Sequence, residues 1–126
     1  MIKRIVRPQG SPVPGGSYSQ VVIANGFVFV AGQSPHGPNS EPVPASFKAQ
    51  VQQVLENIET ALKAAGSDLE HVVKVNAYLK DLSRFDEYNE IYKSFMPKDL
   101  PVRTTIASNL IGMEVEIDCI AALSSS

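Results

Sequence analysis

The stretch VVIANGFVFVAGQ, residues 21–33, contains the pattern that decides the fold. Two runs of β-branched and aromatic residues flank the dipeptide Asn25-Gly26. Asn and Gly tolerate the positive φ angles of a tight two-residue turn, and β-branched and aromatic residues favour extended backbone. The stretch therefore predicts a β-hairpin in which residues 20–24 pair with residues 27–32.

A helix and a strand are predicted downstream of the hairpin. Between Ala45 and Ala65 the apolar residues recur at helical spacing, and Gly66 occupies the position of a helix-ending glycine. The segment HVVKVNAYLKDL then alternates, which predicts a strand. One face would carry Val73, Val75, Ala77 and Leu79, and the other Lys74, Asn76, Tyr78 and Lys80.

The rest of the chain supplies a second helix and three more strands. Ser83 with Asp86 resembles a capping pair, and the helix it would start carries Phe85, Tyr88, Tyr92 and Phe95 on one stripe. Strands are predicted in MIKRIV, at about 102–108, and in MEVEIDCIAAL, whose inward set is Met113, Val115, Ile117, Cys119 and Ala121, opposite Glu114, Glu116 and Asp118. The proline-rich stretch 34–44 is a loop. The order β-β-β-α-β-α-β-β predicts an α+β sandwich, in which two helices cover one face of a mixed sheet within a single domain, residues 1–126.

The hairpin is apolar on both faces, because residues 21, 23, 27 and 29 and residues 22, 28 and 30 are all apolar. Two helices can cover only one face of the sheet, so the other face is expected to meet another subunit. The alternative is a hairpin at the centre of a monomer's core. That arrangement would need a third layer of helices, which the sequence does not offer.

Composition excludes several classes of function. The formal net charge is −2, with Lys and Arg scattered along the chain, so nucleic acid and anionic membranes are unlikely partners. No apolar stretch is long enough to span a bilayer. The single cysteine, Cys119, and the absence of a signal-peptide pattern predict a cytoplasmic protein. His36 and His71 lack neighbours at metal-ligand spacing, so no metal site is expected.

Arg103 and Glu116 are the main candidates for chemistry. In PVRTTI, Arg103 stands at the entry to a strand beside Thr104 and Thr105, and its planar fork of donors suits a carboxylate. Glu116 stands in mid-strand among apolar neighbours, where a carboxylate is costly unless it is paired or functional. The alternatives are an arginine that is solvated or paired with Glu116 or Asp118, and a glutamate on a solvent-facing edge strand. Together the two residues suggest a small anionic ligand and acid–base chemistry.

Four further residues are candidates for the lining of a pocket. Tyr18 follows two glycines and could donate its hydroxyl into a pocket, although such a tyrosine also commonly packs a loop. Ala31 and Gly32 end a strand where backbone groups could face a ligand or merely start a turn. Asn89 lies beside the apolar stripe of the second helix, where it could equally bond a strand.

The collinear segments resemble the RidA/YjgF family of reactive-intermediate (imine) deaminases, formerly described as L-PSP endoribonucleases. SYSQVVIANGFVFVAGQSP is similar to the family's first segment and hairpin, and QVLENIETALKAAGSDLEHVVKVNAYLKDL to its long helix and strand. PVRTTI and VEIDCIAAL are similar to its two closing motifs.

The resemblance implies a chorismate-mutase-like homotrimer with ligand sites between subunits and no metal or organic cofactor. It implies hydrolysis of 2-imino acids, such as 2-iminobutanoate and 2-iminopropanoate, to 2-oxo acids and ammonia. By this resemblance Arg103 binds the substrate carboxylate, Glu116 positions or activates water and Tyr18 orients substrate or water. Gly32, Thr105 and Asn89 would line the pocket, with Ala31 beside them.

The chain departs from the family pattern at Ser17, where proline is common, at Thr105, where cysteine is common, and at Ala31, where serine is frequent. The 34–46 loop also looks shorter and richer in proline. None of these departures removes Arg103 or Glu116, but Ala31 and the loop bear on the range of substrates. Two other functions remain open: a non-catalytic module that binds metabolites or proteins, and RNA cleavage, which the acidic net charge disfavours.

Overall fold

The structure, a computed structural model, describes residues 1–124 and confirms the predicted order of elements. The strands are β1 Ile2–Ile5, β2 Val21–Ala24, β3 Phe27–Gln33, β4 Val72–Leu79, β5 Val102–Ala107 and β6 Val115–Ala122. The helices are α1 Phe47–Ala64 and α2 Phe85–Phe95, and 3₁₀ turns at Leu69–His71 and Leu82–Arg84 precede β4 and α2.

The six strands form one mixed sheet in the order β1-β2-β3-β6-β4-β5. Only β4 and β5 run parallel, and all other neighbours are antiparallel. The last strand, β6, therefore lies between β3 and β4, where it joins the hairpin to the rest of the sheet. The α+β class with two helices and a mixed sheet is as predicted.

The hairpin turn is as predicted, because Asn25 and Gly26 both have positive φ, at 51° and 81°. The predicted grouping of its side chains was wrong. The two-residue turn pairs Val21 with Val30 and Ile23 with Val28, so these four residues share one face. Val22, Phe27 and Phe29 share the other, and both faces remain apolar.

Helix α1 begins and ends through local capping. The Ser46 side chain accepts a hydrogen bond from the Ala49 N–H at 3.1 Å, so the helix starts at Phe47 rather than Ala45. At the other end Gly66 has a φ of 84°, as a helix-ending glycine requires. The capping prediction for α2 was wrong: Asp81 accepts from the Ser83 N–H at 2.9 Å and caps the 3₁₀ turn that leads into the helix.

A bulge in β4 overturns one predicted inward residue. The register with β6 shifts between Val72 and Lys74, so Val72 is buried and Val73 is 43% exposed. From Val75 onward the predicted alternation holds. A two-residue alternation cannot reveal a bulge, because the extra residue leaves no mark in the pattern.

Both helices pack on one face of the sheet, which we call the helix face. Its core includes Val28, Val30, Val75, Ala77, Leu79, Ile117 and Cys119, together with the buried faces of the helices. The opposite face, which we call the bare face, carries Phe27, Phe29, Tyr78, Ile106, Glu116 and Asp118. On the bare face Phe27, Phe29 and Ile106 are each more than 40% exposed. This is the uncovered apolar face that the hairpin predicted.

Neither helix within residues 1–124 has the length and apolar character that a membrane span requires.

Asn57 of α1 fastens the loop after β3 to the helix layer. Its amide, 2% exposed, donates to the carbonyls of Ser34 at 3.0 Å and His36 at 2.8 Å. Asn57→Ala would leave both carbonyls without this donor, so we expect it to lower the free energy of unfolding by ~2 kcal/mol. Urea denaturation measures the change. The exposed Asn109→Ala is the control, and an equal loss in both variants would contradict the assignment.

Candidate active site

Arg103 projects from β5 onto the helix face, because it stands in register with the buried Val75 of β4. Its guanidinium carbon lies over three aromatic rings of α2, at 4.6 Å from the Tyr92 ring centre, 5.4 Å from Tyr88 and 5.5 Å from Phe85. Among residues 1–124 it forms no ion pair. The rings hold the cation by cation–π attraction and leave its hydrogen-bond donors available to an anion.

Three buried hydroxyls without hydrogen-bond partners in the described chain lie on this side of the sheet: those of Tyr88, Tyr92 and Thr105. Burial raises the pKa of both tyrosines, and the charge of Arg103 opposes the rise. The apolar stripe of the second helix predicts that both tyrosines are buried, and both are. Helical spacing alone cannot show that they also surround an arginine from another element.

The Arg103 side chain opens onto a cavity of about 300 Å³ that Asn89, Lys93 and Leu100 also line. Asn89, predicted as a pocket residue, therefore lies in the same cavity as Arg103. Thr105 lies two positions along β5 on the same face as Arg103, in register with Ala77. Lys93 is an addition that the sequence did not single out.

Glu116 lies on the bare face, in register with Tyr78 of β4. Its carboxylate packs against Gly32, at the irregularity where the register of β3 with β6 shifts. A Cβ at Gly32 would lie 2.9 Å from the Glu116 Cδ and 3.2 Å from its Cγ, so a larger residue there would displace the end of the Glu116 side chain. The strand-end glycine thus lets the carboxylate keep this position.

The pKa of Glu116 is raised, first because the carboxyl group is partly buried and second because Asp118 adds a negative charge nearby. Asp118 itself accepts hydrogen bonds from the Asn76 amide and the Tyr78 hydroxyl, each at 3.0 Å. The raised pKa brings proton exchange at the Glu116 carboxyl group closer to neutral pH.

Tyr18, Ala31, Gly32 and Glu116 line one cavity of about 390 Å³. It adjoins a second cavity of about 440 Å³, because Tyr18, Gly32 and Glu116 line both. The Tyr18 hydroxyl accepts a hydrogen bond from the Gly15 N–H at 3.1 Å, so its own hydrogen remains free to donate to a ligand. Met113, predicted as an inward strand residue, precedes β6 and lines the larger cavity.

The predicted site residues therefore form two groups in one chain. Arg103, Thr105 and Asn89 belong to the helix side, and Tyr18, Ala31, Gly32 and Glu116 belong to the bare side. Arg103 and Glu116 face opposite sides of the sheet, so one subunit does not unite them. Arg103 therefore does not pair with Glu116 or Asp118 in the described chain, which was the alternative interpretation.

Metal binding and cysteine-based catalysis have little support among the described residues. Residues 1–124 contain no group of three or more His, Cys, Asp or Glu side chains placed to hold a metal ion. Cys119 is buried on the helix face, where burial raises the pKa of its thiol to about 12. At neutral pH this thiol is protonated, which makes it a poor nucleophile.

Comparison with known proteins decides the family. The model of the family described as Endoribonuclease L-PSP matches residues 9–123. The chain belongs to this family, the RidA/YjgF family. The resemblance found in the sequence motifs is thereby confirmed over nearly the whole chain.

Two relatives show the range of names within the RidA/YjgF family. A RutC family protein of Pyrococcus horikoshii is 39% identical, over 95% of this chain and 98% of its own. The 2-iminobutanoate/2-iminopropanoate deaminase of Rattus norvegicus is 35% identical, over 96% of this chain and 90% of its own.

Solved structures of RidA/YjgF proteins agree with the fold. RidA from a Psychrobacter species is 34% identical with a TM-score of 0.90, covering 95% of this chain and 99% of its own. E. coli TdcF, solved with bound serine, is 31% identical with a TM-score of 0.90, covering 97% of this chain and 100% of its own.

The environment of Glu116 predicts a measurable titration. We expect its midpoint to lie above the ordinary value of 4.5 and to fall in Asp118→Asn, because the neighbouring charge is removed. Carbon-detected NMR of the side-chain carboxyl measures the midpoint. Glu56→Gln, an exposed change on α1 that also removes one negative charge, should leave it unchanged.

The raised pKa also links stability to pH. Between the unfolded and folded pKa values the folded protein keeps a proton that the unfolded chain releases, so the Glu116 contribution to stability falls as pH rises through that window. In Glu116→Gln this component of the pH dependence should vanish. A titration midpoint at or below 4.5 would contradict both expectations.

Proposed function

We propose that the chain hydrolyses 2-imino acids of the 2-iminobutanoate and 2-iminopropanoate class to 2-oxo acids and ammonia. The observation that carries the proposal is Arg103, a cation held by aromatic rings with its hydrogen-bond donors unpaired by any carboxylate among the described residues. The name of the rat relative and the serine bound by TdcF support a small ligand with an α-carboxylate.

The proposed reaction follows from the chemistry of the two groups. Arg103 binds the carboxylate of the imino acid bidentately and so fixes the position of the imine carbon. The substrate reacts as its protonated imine: Glu116 accepts a proton from a water molecule while the water oxygen attacks that carbon, which gives a neutral carbinolamine. Glu116 then returns the proton to the nitrogen, the C–N bond breaks to release ammonia, and the ammonia takes the hydroxyl proton, which yields the 2-oxo acid and ammonium. Tyr18 orients the water or the substrate.

We propose that the site is completed between subunits of a homotrimer. Arg103 and Glu116 face opposite sides of one sheet, so they can meet only if different copies supply them. The bare face is apolar enough to bury against another copy, since Phe27, Phe29 and Ile106 are exposed there. A cyclic trimer has three equivalent head-to-tail interfaces, each of which can join the two groups.

The cytoplasmic location and the absence of a cofactor also remain part of the proposal.

A non-catalytic binding role for the same site would be indicated by thermal stabilisation with 2-oxo acids in the absence of turnover. RNA cleavage, which the family description mentions, is disfavoured by the net charge of −2.

Loss of the carboxylate clamp should reduce catalysis. We expect Arg103→Lys to lower kcat/KM for 2-iminopropanoate at least ~30-fold, about 2 kcal/mol, because the charge remains but the bidentate fork is lost. The assay generates the imine with an amino-acid oxidase and follows its loss. Arg84→Lys is the matched control, because Arg84 also stacks on a ring, that of Phe47, but lies outside all three cavities. Full activity in Arg103→Ala would refute the proposal.

A charge on the bare face should dissociate the trimer. We expect wild-type protein to sediment as a trimer and Phe29→Glu to sediment as a monomer with greatly reduced deaminase activity, because the charge would be buried at the interface. Analytical ultracentrifugation measures the mass, and circular dichroism checks the fold. Leu82→Glu alters an exposed residue outside the sheet and should keep the wild-type mass. A monomeric and active wild type would contradict this assembly.

A further inference from the structure

The larger cavity beside Glu116 has a polar wall that the proposed reaction does not use. Ser34 and His36 line it, in the loop that follows β3, and the same cavity is lined by Glu116 and Tyr18. The Ser34 Oγ and the His36 Nδ1 are 2.9 Å apart, which is a hydrogen bond between the two side chains. The rest of the wall includes the apolar side chains of Val13 and Met113.

The backbone of this pair is fixed by the helix layer behind it. The buried Asn57 amide donates to the carbonyl oxygens of both residues, and its own oxygen accepts from the Gln53 amide at 3.0 Å. The loop is therefore held at two adjacent points by one side chain. A polar pair on a fixed backbone can recognise a ligand without an additional cost of ordering the loop.

A hydroxyl–imidazole pair always retains one unused donor. If the Ser34 O–H donates to Nδ1, the neutral imidazole carries its hydrogen on Nε2, which is free. If Nδ1–H donates to Ser34 instead, the Ser34 hydroxyl hydrogen is free. In either tautomer the wall offers a donor to an acceptor in the cavity.

We infer that Ser34 and His36 bind the end of the substrate side chain, and that the preferred substrates are 2-imino acids whose side chain ends in a neutral hydrogen-bond acceptor, a carboxamide or a hydroxyl. The inference rests on the proposed function and specifies its substrate class. The apolar wall accommodates the carbon stem of the side chain. A second carboxylate is disfavoured because Glu116 lines the same cavity and would repel it.

Two imino acids of nearly equal shape test the inference. The imines of asparagine and leucine are generated in situ by an amino-acid oxidase. The side chain of the first ends in a carboxamide, and that of the second ends in a branched hydrocarbon. We expect wild-type kcat/KM to favour the asparagine-derived imine about tenfold, because the leucine side chain would leave the donor unpaired. In the double variant Ser34→Ala/His36→Leu, which removes every donor of the pair, this ratio should fall to about one.

His71→Leu is the matched control, because His71 bonds Asp68 at 2.6 Å and lines neither cavity of the site. It should keep the wild-type ratio. A wild-type ratio near one, or a ratio that is unchanged in the double variant, would overturn the inference. Thermal melting of each variant separates these results from loss of the fold.

A binding measurement distinguishes this inference from the proposed reaction. If wild type accelerates the hydrolysis of none of the imines, the proposed function fails, and calorimetric binding of the matching 2-oxo acids then decides the inference. Tighter binding of 2-oxosuccinamate than of 4-methyl-2-oxopentanoate, lost in the double variant Ser34→Ala/His36→Leu, would support the polar wall. Equal affinities would overturn it.

Discussion

The packing of α1 and α2 on a single face of the six-stranded sheet is the constraint on which the other features of the molecule depend. It places Arg103 among the rings of α2 and leaves Glu116 on the opposite, bare face. It also leaves Phe27 and Phe29 exposed on that same face, although aromatic side chains are favoured in buried surfaces. The apolar face and the divided site therefore have one cause, and a second copy of the chain would resolve both.

Local patterns predicted the elements because each depends on short-range physics. The Asn25-Gly26 turn requires positive φ, and Gly66 ends α1 for the same reason. The errors came from constraints outside the local pattern. Pairing across the hairpin placed Val21 opposite Val30, and a bulge exposed Val73. The sequence around Ser83 suited a helix cap, yet Asp81 made the competing bond one turn earlier.

The candidate site residues could be selected from the sequence by their chemistry, but their arrangement in space could not be predicted. Arg103 and Glu116 stand out in the sequence because charged groups interrupt strand-forming runs. Their opposite orientations follow from the register of β5 and β6 with β4, which no single strand reveals. Tyr88 and Tyr92 carried no distinguishing signal, since a stripe at helical spacing predicts burial whether it faces other hydrocarbons or a guanidinium. The sequence did not single out Ser34 and His36, because their fixed position depends on Asn57 of α1, whose amide donates to both of their carbonyls.

Activity recovered by mixing two inactive variants tests most directly whether Arg103 of one subunit works with Glu116 of another. Arg103→Ala and Glu116→Gln are unfolded together in equal amounts and refolded, and deaminase activity is compared with each variant alone. In a cyclic trimer every mixed assembly regains one interface with both wild-type groups, so random mixing predicts roughly a quarter of wild-type activity. Activity no higher than that of the separate variants, with mixed trimers verified by mass, would contradict the shared site.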